Sequence, residues 1–196
     1  MNRKQELRIQ SYTKAVWPCF LHAHDRWNNN MTEDDERAIS RQFYQAVFDT
    51  GPDRTGFATS ERALYADSVT RRDYYVDDHF YSPQRVAKYI LDNPNICQNY
   101  DKFYEIFLEC RKTILVTKEE NQKLSSIVKK FENVLTKDKY HYLDMLLHNK
   151  SGVLPEDKQV LNIFPEFTEW ERQFIDNDYR PLVVSNHIPS PLEAFF

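Results

Sequence analysis

Three glycines in 196 residues, with nine prolines beside them, leave long stretches of this chain in which nothing interrupts a helix. Helix is therefore expected to exceed its usual share of about a third of residues. An apolar content of 41% is enough to bury a core, as one domain or as one domain with an appendage. Strand signals are confined to short runs. Residues 73–81, DYYVDDHFY, and residues 113–117, TILVT, carry the aromatic and β-branched side chains that suit a pleated surface. The expectation is an α+β chain, mostly helical, in which two short strands are embedded in a helical domain.

Several classes of protein are disfavoured at this stage. No segment approaches the roughly 18 consecutive apolar residues of a membrane span, and MNRKQELRIQSYTK lacks the apolar centre of a signal peptide, so a soluble, cytoplasmic protein is expected. Cys19, Cys97 and Cys110 are odd in number and have no CxxC spacing, which points to reduced thiols in or near the core. His22 and His24 would diverge by about 200° on a helix and cannot share a metal there. A glycine-rich phosphate loop is absent, which disfavours a nucleotide-hydrolysing enzyme.

The chain divides into an N-terminal helical region (1–60), a central region (61–139) and a C-terminal helical and extended arm (140–196). Residues 12–27 read as a helix or turn pair interrupted by Pro18. Thr32 caps a helix whose first turn is acidic and which ends at Gly51-Pro52. Ser82-Pro83 starts another, running to Asn93-Pro94, and YDKFYEIFLECRK a third. Thr117 and Glu120 have the form of a capping box and open a helix from Lys118 to about Leu135. KYHYLDMLLHNK reads as a short amphipathic helix, and Pro165 to Asn177 as a last one before an extended tail.

Charge is uneven. The net charge is −4, yet residues 111–139 hold eight basic side chains against four acidic ones, a basic stretch in an acidic chain. That stretch is either a solvated helix face or a contact for nucleic acid.

The chemistry centres on Asp77-Asp78-His79, at the end of the first strand and just before a helix start. If the two strands pair, this acid–histidine group faces the start of the helix that begins at Lys118. A neutral histidine can take a proton from water near pH 7. A carboxylate and an amide oxygen from the facing helix suit one hard divalent cation, with water and phosphate completing its shell. DDH at 77–79 followed by VTKEEN at 116–121 resembles the HNH homing endonucleases of tailed phages. That resemblance implies a ββα-metal-like motif, here with a long helical insertion. It implies His79 as general base, Asp78 and Asn121 as ligands of Mg²⁺ or Mn²⁺, and double-stranded DNA as the partner, in a bacterial host's cytoplasm if the chain is phage-encoded. It also implies an Asn that orients the histidine. The stretch Arg111-Lys112-Thr113 has none, leaving Asn93, Asn95 and Asn99 in the excursion. Arg71, Arg72, Lys112, Lys118 and Lys123 flank the site and are the candidate DNA contacts.

A second reading is a non-enzymatic helical protein, an inhibitor or assembly factor, that uses its aromatic C-terminal arm to bind another protein. The sequence pI of 5.9 suits that reading better than it suits a nuclease.

Overall fold

The computed structural model describes residues 2–26, 31–54, 59–66, 74–129, 134–149, 152–153 and 164–174; Arg71 and Arg72 lie outside them. Helices dominate: α1 (Arg3–Arg26), α2 (Glu33–Thr50), α3 (Glu61–Ala66), α4 (Pro83–Leu91), α5 (Pro94–Cys97), α6 (Tyr100–Cys110), α7 (Lys118–Lys129) and α8 (Pro165–Glu171). The strands are β1 (Thr59–Ser60), β2 (Tyr75–His79), β3 (Thr113–Thr117), β4 (Leu147–Asn149) and β5 (Gly152–Val153). They join in one mixed sheet of order β2-β3-β1-β4-β5, in which β1 and β3 run parallel and the other pairs antiparallel. The chain is thus α+β and mostly helical, with a sheet larger than the two strands expected. Among the described residues no helix is long and apolar enough to cross a membrane.

Local chemistry explains where the helices start and stop. Thr32 Oγ1 accepts from Asp35 N at 3.2 Å while the Asp35 carboxylate accepts from Thr32 N at 3.1 Å, closing a reciprocal cap on α2. Gly51 ends α2 at φ 78°, ψ 160°, a conformation essentially reserved for glycine. Helix α1 continues through Pro18 where a break was expected. Ile9, Val16 and Phe20 are buried on its inner side, and that packing outweighs the hydrogen bond proline cannot donate. Phe20 and Phe43 meet Phe103 and Phe107 of α6 with ring centroids 5.2 to 5.9 Å apart, locking α1, α2 and α6 together.

The capping box at Thr117 is present. Thr117 N donates to Glu120 Oε2 at 2.8 Å, and Glu120 N donates to Thr117 Oγ1 at 3.2 Å. The same carboxylate accepts from Ser60 Oγ at 2.7 Å, and Ser60 Oγ also accepts from Ala63 N, so one buried acid ties the starts of α3 and α7 together. Thr117→Ala is expected to cost about 0.5–2 kcal/mol, read as a lower urea midpoint with an unchanged slope. Helix α7 is described to Lys129, and Val134 and Leu135 are buried but not helical, so the helix does not reach Leu135.

The C-terminal third departs furthest from expectation. KYHYLDMLLHNK is not a helix. It forms a 3-10 turn at His141–Leu143, turns through Asp144 at φ 52°, and then enters β4. Pairing of Leu147 and His148 with β1 extends the sheet, and that pairing overrides the helical spacing of the sequence. Helix α8 stops at Glu171 and a 3-10 turn follows to Phe174. Its Phe167 and Trp170 pack on Tyr89 of α4, with centroids 5.6 and 5.5 Å away. A single buried cluster runs from Ile9 to Trp170 and draws on all three regions of the chain.

Candidate functional site

Strand β2 pairs with β3 over its whole length, from Tyr75 opposite Thr117 to His79 opposite Thr113. Helix α7 begins at the next residue after β3, and α4, α5 and α6 fill the excursion between the strands. The order strand, strand, capped helix is therefore present. Strand β2 lies at the edge of the sheet.

His79 is held by the backbone. Its Nδ1 lies 2.9 Å from the Cys110 carbonyl oxygen, which can only accept, so Nδ1 carries the proton and Nε2 is left as the acceptor of the neutral ring. Burial lowers the His79 pKa from its ordinary 6.5; the Cys110 hydrogen bond and the Asp78 charge oppose that shift without reversing it. The orienting partner is thus a main-chain carbonyl at the C-terminus of α6. Asn99 instead caps α6 through the amides of Asp101 and Lys102, Asn93 donates to the Tyr89 carbonyl, and Asn95 is exposed. None of these three orients the histidine.

Asp78 does not work beside His79 as expected. Neighbours on a strand point to opposite faces, and the register puts Asp78 with Val76, Ile114 and Val116, whereas His79 shares its face with Asp77 and Thr113. The Asp78 carboxylate is also occupied. Lys139 Nζ donates to Oδ2 at 2.7 Å and the Tyr140 hydroxyl donates to the same oxygen. Burial and the Asp78 charge push the Tyr140 phenol well above its ordinary pKa, so it remains a donor.

Asn121 is half-buried in the first turn of α7, beyond the Tyr75–Thr117 end of the ladder. Asp78 opposes Ile114, three residues back along β3, a separation of about 10 Å along the strand. Among the described residues no group of three or more His, Cys, Asp or Glu side chains is gathered to hold a metal ion.

Among the described residues, much of the basic stretch is paired with acids or buried. Lys112 pairs with Glu109 at 2.6 Å, Lys123 with Glu119 at 3.1 Å and Lys137 with Asp138 at 2.6 Å; Arg111 and Lys139 are buried. Lys118 is exposed at the start of α7. Of the five expected DNA contacts, then, Lys118 is exposed, Lys112 and Lys123 are ion-paired, and Arg71 and Arg72 fall outside the described residues.

Sequence reading missed Arg54, whose Nε donates to Asp77 Oδ1 at 2.6 Å and whose second nitrogen bonds Oδ2, bringing a guanidinium to the face that carries His79. Thr113 Oγ1 also donates to Asp77, at 3.2 Å, so Asp77 is a strut between the loop after α2 and the two strands. No local signal marks Arg54, because the contact spans 23 residues. Cys97 and Cys110 are free and buried thiols, and burial lifts Cys97 to about 12, which leaves it inert as a nucleophile.

No protein-family model, curated protein or solved structure matches the chain.

Proposed function

We propose that this chain is a DNA endonuclease in which His79 is the general base. The observation that carries the reading is the anchoring of His79 Nδ1 on the Cys110 carbonyl, which leaves Nε2 unprotonated on an edge strand that is followed by a second strand and a capped helix. A ring whose pKa lies below 6.5 is neutral at pH 7 and can accept the proton of a water attacking phosphorus. Arg54, held flat against Asp77 on the same face, offers a guanidinium to a phosphate oxygen, and Lys118 adds an exposed charge at the start of α7. Double-stranded DNA is the proposed substrate, gripped through its backbone.

Mg²⁺ or Mn²⁺ held by Asp78 and Asn121 does not fit this arrangement. Asp78 Oδ2 is already bonded to Lys139 and Tyr140, and the side chain points away from the His79 face. No step is therefore routed through an ion at that position.

Incubation with supercoiled plasmid, in parallel with Mg²⁺, with Mn²⁺ and with EDTA, tests the reading. Conversion to the open circular form by the wild-type chain supports it. Intact plasmid in all three conditions, on DNAs of several sequences, removes it.

The second reading, a non-enzymatic protein that binds another protein, is favoured by exposed apolar side chains: Phe48 is 61% and Tyr65 67% accessible. Within the described part of the aromatic arm, Phe167 and Trp170 are turned into the core while Phe174 is exposed.

A further inference from the structure

We infer that the cation beside Asp78 is the chain's own: the Lys139 ammonium fills the position where the nuclease reading would otherwise need a divalent ion. Lys139 Nζ lies 2.7 Å from Asp78 Oδ2 and 2.7 Å from the His79 carbonyl oxygen, and 4.8 Å from the centroid of the Tyr140 ring. An ammonium has three N–H donors and no acceptor, and a carboxylate oxygen, a carbonyl oxygen and an aromatic face account for the three directions. A hard divalent ion would ask for the same two oxygens. The lysine side chain is only 4% exposed, and the Tyr140 hydroxyl adds a second bond to the oxygen it holds.

The lysine is also fixed from behind. It follows the 3-10 turn Thr136–Asp138, whose first residue is bonded through both its amide and its hydroxyl to the buried Glu171. The 136–140 segment is thereby docked on α8 at one end and on β2 at the other. Withdrawing Lys139 to admit a metal would strip a buried ammonium of both oxygen partners and leave the His79 carbonyl without its donor. The pair of oxygens that an ion would share, Asp78 Oδ2 and the His79 carbonyl, is thus held by the chain's own cation. Where the nuclease reading holds, on which this consequence rests, cleavage at His79 proceeds without a divalent ion there.

Titration of the full chain with Mn²⁺, followed by the electron paramagnetic resonance of the free ion, tests the inference apart from any nuclease activity. Wild type and Asp78→Asn are expected to bind the same number of Mn²⁺ ions. Lys139→Met is expected to gain one site, weakened at least tenfold when Asp78→Asn is added. Should Lys139→Met fail to fold, Lys139→Ala, which leaves both oxygens without a donor, is read in its place. A wild-type Mn²⁺ site that disappears in Asp78→Asn overturns the inference, as does a folded Lys139 variant that gains none. The plasmid assay reports separately on the nuclease reading: the expected titration with no nicking leaves the Lys139 inference standing while removing the nuclease.

Discussion

Glu171→Ala is expected to destabilise the chain by about 3–5 kcal/mol, because it leaves a buried arginine without its counter-charge. Arg85 Nη1 lies 2.7 Å from Glu171 Oε1, and the two side chains are 5% and 3% exposed. Glu171 also accepts from Thr136 N at 3.0 Å and from the Thr136 hydroxyl, so one carboxylate joins α4, the 136–138 turn and α8. Burial lowers the Arg85 pKa despite the opposing Glu171 charge, a sign of how much desolvation the pair must offset. Replacing both ends, Arg85→Met with Glu171→Met, should recover only part of the loss: the two apolar side chains need no partner, but the buried Thr136 amide and hydroxyl still lose their acceptor. Urea unfolding of the two variants reads this directly. A Glu171→Ala protein as stable as wild type would show that the pair does not hold the C-terminal segment in place.

The second large effect falls on His79. His79→Ala is expected to lower the rate of plasmid nicking by about 10²–10⁴-fold, the usual contribution of a positioned base. DNA affinity, measured by gel mobility shift at fixed salt, should stay within about threefold of wild type, since the imidazole is neutral at pH 7 and contributes nothing to phosphate attraction. A parallel loss of binding and cutting would make His79 a DNA contact instead of a base. Arg54→Ala separates these roles from the other side. It should weaken binding and make it less dependent on salt, because one cation is removed from the His79 face.

Much of the local structure was legible in the sequence, and the reasons are local too. The caps at Thr32 and Thr117, the proline start at Pro83 and the glycine stop at Gly51 each act within one turn of chain. The two strands at 75–79 and 113–117 were readable from strand propensity; their pairing was a condition of the site, and the structure gives it the antiparallel register Tyr75–Thr117 to His79–Thr113. What the sequence withheld depends on distant partners. The spacing of residues 139–150 suits a helix, but β1 takes Leu147 and His148 as strand partners and the helix is lost. Pro18 marks a break on paper, and burial of Phe20 against Phe43 and Phe103 keeps α1 whole.

The site follows the same division. His79 was identifiable as a candidate base because an acid–histidine pair before a helix start is a local pattern. Its orienting group was not, because a carbonyl oxygen belongs to every residue and only the fold brings that of Cys110 to the ring. For Asp78, expected as a metal ligand, two features lay outside the local pattern: strand alternation turns it away from its neighbour, and a lysine 61 residues further on is bonded to it. A count of charges at 111–139 likewise could not show that Lys112, Lys123, Lys137 and Lys139 each have an acid beside them.

The central claim is that a neutral His79 takes the proton, and the pH dependence of the nicking rate tests it most directly. Burial lowers the folded-state pKa of His79 below 6.5, so the unprotonated base is fully present above that value and is lost only as pH falls through the depressed one. The rate of the wild-type chain should therefore be level from about pH 7 upward and should fall on acidification with a midpoint below 6.5, and His79→Ala should abolish that limb. A midpoint above 6.5, or an acid limb that survives His79→Ala, would contradict the account.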